Sequence, residues 1–311
     1  MKFSAQNLVL PAVIVVMVLV TGLIEPRFWS AENLLNLSRQ IAPLMIISVG
    51  QTLCVISGGL DLSLAASLGL SGVYGIIAMR YGGVATGIAV MLGTGLTFGL
   101  LNGLIITRFQ VSPFIVTLGM LSIGRGLALM ASGGLPIYDV PNSFIDILGY
   151  GSVLGVPVPA IIAVVTMLAG AAILRFTIFG RYLYAIGSSP AAAYSSGIHV
   201  SRYVVLCYVL SGGTAAIAAI ALTAWVNAAQ PMAATGLELQ SLAAVVVGGI
   251  ALTGGAGSMI NAFYGVLILG MLANALNMVG VSSFMQTLVI GVVIVGAVIL
   301  DRLRRGKAFV V

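Results

Sequence analysis

Apolar runs of about twenty residues follow one another along nearly the whole chain, separated only by short polar stretches. A helix needs roughly 20 mostly apolar residues to cross the hydrocarbon core of a bilayer. Walking the chain on that criterion marks about ten runs, at approximately 8–24, 41–57, 62–79, 84–107, 113–131, 158–178, 203–224, 239–252, 259–279 and 284–300. The expected fold class is an all-α membrane protein, a polytopic bundle of about ten transmembrane helices. The third and eighth runs are the weakest. The eighth is short and ends in Gly248-Gly249, the mark of a broken or re-entrant segment. Losing both weak runs would change the count by two and leave the orientation unchanged.

Composition excludes the soluble alternatives. Of 311 residues, 60% are hydrophobic and 6% charged, whereas a soluble domain carries about a quarter charged residues. No hydrophilic stretch is long enough to fold alone, so residues 1–311 read as one transmembrane domain. The longest polar connections cover approximately 132–157 and 179–202. The net charge of +6 comes from scattered cations, not the clustered patch that nucleic acid requires. Cys54 and Cys207 sit inside apolar runs and read as buried free thiols. Met1-Lys2-Phe3 and the run after it lack a small-x-small cleavage site before Glu25-Pro26, so that run reads as a retained first span.

The cations choose a side. With the N-terminus in the cytoplasm, Lys2, Arg108, Arg175, Arg181, Arg202, Arg302, Arg304, Arg305 and Lys307 fall inside. Arg27, Arg39 and Arg80 fall outside, and Arg125 lies within a span. This asymmetry satisfies the positive-inside rule, and an even number of spans also puts the C-terminus in the cytoplasm.

Gly59-Leu60-Asp61-Leu62-Ser63 is echoed by Gly236-Leu237-Glu238-Leu239-Gln240. The two follow spans of opposite direction, as an inverted repeat would have them. The competing explanation is chance recurrence in a chain of low complexity.

The chemistry that is absent narrows the function. The one histidine, His199, lies in an inside loop, too far to serve Ser71 of Gly69-Leu70-Ser71-Gly72 as a base, so that tetrad reads as helix packing. No G-x-x-x-x-G-K-[ST] loop occurs, so the chain itself is not expected to hydrolyse ATP. It is read as a transport subunit and not an enzyme, with no cofactor and no metal. Arg125 stands about twelve residues into its span, roughly 18 Å at helical rise. With no acid near it in sequence, a proton relay is poorly supported.

Neutral polar residues do recur within spans. Gln51, Asn102, Asn274 and Asn277, with Arg125, are the candidate lining of a translocation path, because amides offer both donors and acceptors to a neutral polyol. The alternative is that these amides join helices to one another. Gly95, Gly99 and Gly103 recur every four residues and read as a packing stripe.

The inside stretch from Thr177 to Ile198 is rich in small and apolar residues. A short helix from Pro190 to Ser196, ended by Gly197, fits the start and stop signals. Such a helix could dock in a groove on a cytoplasmic partner; the alternative is a solvated connector. Here the sequence resembles the ribose, xylose and galactose branch of ABC permeases, which share Thr-x-x-Gly-Arg, aromatic-Ala-Ile-Gly, a paired alanine and Ser-Gly-Ile. Thr177, Gly180, Arg181, Tyr184 to Gly187, Ala192, Ala193 and Ser196 to Ile198 match. Family members usually have Gly-Gly-Asn where this chain has Gly187-Ser188-Ser189. Val49 to Thr52, Ser57 to Ser63, Gln230-Pro231, Thr235 to Leu239, Ala243 to Gly249 and Asn274-x-x-Asn277-x-x-Gly280-Val281 extend the resemblance along the chain.

The resemblance implies an importer subunit in the bacterial inner membrane, translocating a monosaccharide, either a ribose-like pentose or a hexose. Its implied partners are a cytoplasmic ATPase, a periplasmic sugar-binding protein, and a second copy or a paralogue. Gly180, Arg181, Ala185, Gly187, Ala192, Ala193 and Gly197 become the implied ATPase-coupling residues. An ion-coupled carrier for a small neutral polyol is the rival reading.

Overall fold

A computed structural model describes residues 9–304. Lys2, Arg305 and Lys307 of the charge argument lie outside the described residues. The helices are α1 (Val9–Ile24), α2 (Ala31–Ile56), α3 (Leu64–Phe109), α4 (Pro113–Ser132), α5 (Asn142–Phe144), α6 (Val158–Phe176), α7 (Ile178–Ser188), α8 (Pro190–Ser195), α9 (Val200–Val226), α10 (Leu237–Val247), α11 (Met259–Met278) and α12 (Ser283–Arg304). Two-residue strands β1 (Ser152–Val153) and β2 (Val156–Pro157) pair antiparallel in the connection before α6. Six helices among the described residues are long and apolar enough to cross a membrane: α2, α3, α4, α6, α9 and α11. α1 and α10 are shorter apolar helices.

α3 unites two expected spans. Its 46 residues would reach roughly 69 Å if straight, about twice the hydrocarbon thickness. It is instead interrupted at Gly83, whose φ of 75° is open to glycine and costly for residues with a Cβ. The halves fold back on each other about that point. A Cβ on Gly75 would lie 2.6 Å from Met91 Cε, and one on Gly87 would lie 2.7 Å from the Gly75 oxygen. The turn places Arg80 3.2 Å from Asp139 of the α4–α6 connection.

Other boundaries follow local chemistry. α2 begins ten residues before the expected run, because Ser30 caps it by accepting from the Asn33 N–H at 3.2 Å. α10 is short, as its glycine ending suggested: Gly249, with φ of 89°, turns the chain away. α8 forms at the expected place. α7 was not expected from a stretch read as a loop; it is capped by Thr177, which accepts from the Gly180 N–H at 3.1 Å.

α9 is the central post, packed along α3 and α2. The glycine stripe of α3 makes the first contact possible. A Cβ on Gly99 would lie 2.9 Å from the Tyr208 carbonyl carbon, and one on Gly103 would lie 2.7 Å from Val205 Cα. From the other side, a Cβ on Gly212 would lie 2.9 Å from the Gly99 nitrogen. Backbones that approach this closely gain dispersion contacts that lipid tails cannot supply. α4 covers α3, while α6 and α11 cover α2. α10 lies against α11 and α2, and α12 packs on α10. Cys54 and Cys207 are buried free thiols 3.8 Å apart where α2 meets α9. Gly69 and Gly72 pack against Pro231 and Thr223, as the packing reading of that tetrad required.

Candidate functional site

The bundle has two chemically distinct ends. At one, α7, which carries α8, meets the C-terminal end of α2 and the 250–257 connection, where the Gly255 N–H donates to the Ile56 oxygen at 2.9 Å. At the other, the α4–α6 connection pairs with the 227–236 segment through reciprocal Ile137–Ala229 hydrogen bonds, both 2.9 Å.

The α7–α8 hairpin divides the seven loop residues into two sets. Arg181, Ala192 and Gly197 are exposed, as is Tyr194 at 75%. Gly180 and Ala193 are buried, with Gly180 pressed against Ile173 and Leu174 of α6. Ala185 and Gly187 are intermediate. Gly187 faces inward, since a Cβ there would fall within 2.5 Å of the Gly255 nitrogen. Close packing thus demands small residues on one face of the hairpin, while Arg181, Ala192 and Tyr194 stay exposed on the other. Tyr184 donates its phenol to the Gly257 oxygen at 2.8 Å. Burial raises its pKa, which keeps the group a protonated donor.

The two acids of the recurrent motif each stand near the start of a helix. Asp61, before α3, accepts from the Ser63 N–H (3.0 Å), the Ser63 hydroxyl (2.6 Å) and the Ser211 hydroxyl of α9 (2.7 Å). Glu238, in the first turn of α10, accepts from the Gly236 N–H (2.9 Å) and from Arg125 Nη2 of α4 (2.7 Å). Each carboxylate binds a backbone N–H two residues away, and each reaches a side chain more than a hundred residues distant. The two backbone bonds run in opposite senses along the chain, from Ser63 after Asp61 and from Gly236 before Glu238, so the recurrent motif is used differently at its two occurrences.

The five path candidates do not converge on one channel within the chain. Asn102 donates to Ser63 Oγ at 2.7 Å and so belongs to the Asp61 cluster. Arg125 is the ion-pair partner of Glu238, with side-chain exposures of 24% and 9%. Asn274 forms a reciprocal amide pair with Asn33 at 3.0 and 3.4 Å, tying α11 to α2. Asn277 is exposed. Gln51 is fully buried, and neither end of its amide meets a hydrogen-bonding protein group among the described residues. A hollow of about 280 Å³ lined by Arg27, Ser30, Glu32, Asn33, Asn36 and Met278 opens beside the Asn33–Asn274 pair.

Sequence reasoning missed Glu238 as the partner of Arg125, and it missed Asp61, Ser211, Asn33 and Tyr184 as members of the polar network. The recurrent Gly-Leu-acid-Leu motif was a signal for the two acids. The partners carried none, because they are distant in sequence.

A largely helical bundle with apolar spans, cross-linked by buried polar groups and carrying a small amphipathic hairpin at one end, defines a membrane transport subunit. The model of the permease component of the branched-chain amino acid transport system matches residues 33–298. The ribose import permease protein RbsC of Bacillus subtilis (strain 168) is 41% identical over 290 residues, 92% of this chain and 90% of that one. Its namesake from Escherichia coli (strain K12) is 36% identical over 293 residues, 93% and 91% of the two chains. The D-allose transport system permease protein AlsC of the same strain is 32% identical over 295 residues, 94% and 90%. The chain belongs to this permease family, as a sugar-type ABC transporter permease, and is a transport subunit and not an enzyme. No solved structure matches it.

Proposed function

We propose that this chain is the membrane subunit of an ATP-driven importer that moves a monosaccharide, a ribose-like pentose or a hexose, across the bacterial inner membrane. The observation that carries the reading is α8. It is a capped helix presenting Ala192 and Tyr194 outward, on the segment that bears the motif of the sugar branch. A short exposed helix of this kind suits a groove on a partner. We assign that partner as a cytoplasmic ATPase, which puts both termini and the α7–α8 end in the cytoplasm. A periplasmic binding protein would deliver sugar to the opposite end. Residues 1–311 act as one transmembrane domain, and a second copy or a paralogue completes the translocation path, because the polar candidates of a single chain are spread apart.

Vesicles loaded with the chain and its two partners provide the test. Labelled ribose or allose should accumulate only with ATP and should be indifferent to collapse of ion gradients. Uptake that survives ATP depletion and fails with the gradient would establish the ion-coupled carrier instead. Accumulation of labelled leucine in place of sugar would refute the substrate class. The variant Ala192→Arg, on the exposed face of α8, should abolish co-purification of the ATPase without affecting membrane insertion.

A further inference from the structure

Three chain segments meet backbone to backbone beneath α7. A Cβ on Gly187 would collide with the Ile56 carbonyl oxygen and lie 2.5 Å from the Gly255 nitrogen. A Cβ on Gly254 would lie 2.9 Å from Gly58 Cα and 3.0 Å from the Gly187 oxygen. Gly255 donates to Ile56 at 2.9 Å, and Tyr184 closes the junction through Gly257 at 2.8 Å. Apart from the Ser188 hydroxyl beside Gly255, the close approaches at this junction are backbone to backbone. Closely packed groups of this kind transmit displacement.

α2 is braced along its length by α6, α9 and α11. The 250–257 connection is the continuation of α10, an 11-residue helix roughly 16 Å long. Glycines bound that helix on both sides, Gly236 before it and Gly248-Gly249 after it. The Ile250 N–H donates to the Val245 oxygen at 3.1 Å, so the connection and the helix end are joined directly. At its other end α10 carries Glu238, bonded to Arg125. A displacement of α7 therefore meets α2 on one side and, on the other, a short helix bounded by glycines and packed by α11, α2 and α12.

We propose that the 250–257 connection, clasped to α7 by Tyr184 and by the Gly187–Gly254–Gly255 contact, carries the movement of α7–α8 into α10 and on to the Arg125–Glu238 pair. Tyr184 is then a positioning residue for the coupling of ATP hydrolysis to transport. The proposal rests on the reading of α7–α8 as the ATPase-docking hairpin. Spatial contact alone does not establish coupling, so the test must measure coupling itself.

The complete importer, reconstituted with ATPase and binding protein, is compared with its Tyr184→Phe form. This change deletes one hydrogen bond and leaves the ring. ATPase co-purification and basal hydrolysis should be unchanged, and the melting temperature should fall by no more than about 2–4 °C, the shift one net hydrogen bond supports. Sugar moved per ATP hydrolysed should fall about fivefold, the population shift that one net hydrogen bond supports. An unchanged ratio would overturn the proposal. So would a loss of ATPase binding, or a fall in melting temperature beyond that of one hydrogen bond, since Tyr184 would then merely hold α7 in place. Ala192→Arg separates the two layers of the argument. If that variant retains the ATPase, the docking reading fails, and this proposal falls with it.

Discussion

Arg125 and Glu238 offer the sharpest test of how the two halves of the chain are held together. The guanidinium and carboxylate meet at 2.7 Å, with 24% and 9% of their side chains exposed. Charges about 4 Å apart attract by roughly 4 kcal/mol at an effective dielectric of about 20. Removing one partner of a buried pair costs about 3–5 kcal/mol, because the other charge is left uncompensated. Two features lower that figure here. Arg125 keeps some access to its surroundings, and Glu238 retains the Gly236 N–H at 2.9 Å. Arg125→Gln and Glu238→Gln should therefore each cost about 2–3 kcal/mol, below the range for a fully buried pair. The double variant, which leaves no orphaned charge, should cost no more than either single one. The coupling energy is then about 2 kcal/mol. Unfolding by SDS titration in mixed micelles, followed by Trp29 and Trp225 fluorescence, gives all four corners of the cycle. Single costs that add to the double within about 0.5 kcal/mol would refute the claim that this pair ties α4 to α10.

Gly212→Val places side-chain atoms where the Gly95 and Gly99 backbones now lie, and should cost about 1–3 kcal/mol in the same titration; a neutral result would mean that the α3–α9 seam is loose. Ser211→Ala removes one of the three donors to Asp61 and should cost about 1.5–3 kcal/mol, as for a hydrogen bond to a charged group. Asn274→Ala distinguishes helix joining from a path role. Loss of the Asn33 pair should lower stability by about 0.6 kcal/mol with sugar uptake unchanged, whereas reduced uptake at full stability would restore Asn274 to the path.

How much was legible depended on the range of the interaction responsible. Ser30, Thr177 and Gly249 act within a few residues, and such caps and stops can be read from sequence. α7 was missed even so, because a short helix among small residues has no apolar run long enough to announce it. The Arg125 partner was illegible for the opposite reason: 113 residues separate it from Glu238. The amides show the same limit. Asn274 and Gln51 look alike in sequence, yet one is satisfied by Asn33 and the other is buried without a protein partner.

The sequence by itself determined the solvent of this protein. A chain with 6% charged residues and repeated apolar runs must satisfy its backbone inside helices, because lipid offers no hydrogen bonds. Its motifs, spread from Val49 to Val281, also carried the family. Only the tertiary structure decided what those residues touch. It put Gly187, known from the sequence only as an implied coupling residue, against the Ile56 and Gly255 backbones. It also turned Arg125 from a lone intramembrane charge into half of an ion pair. The physical reason is that burial in lipid depends on composition, which is local, whereas pairing and close approach depend on which distant segments the packing brings together.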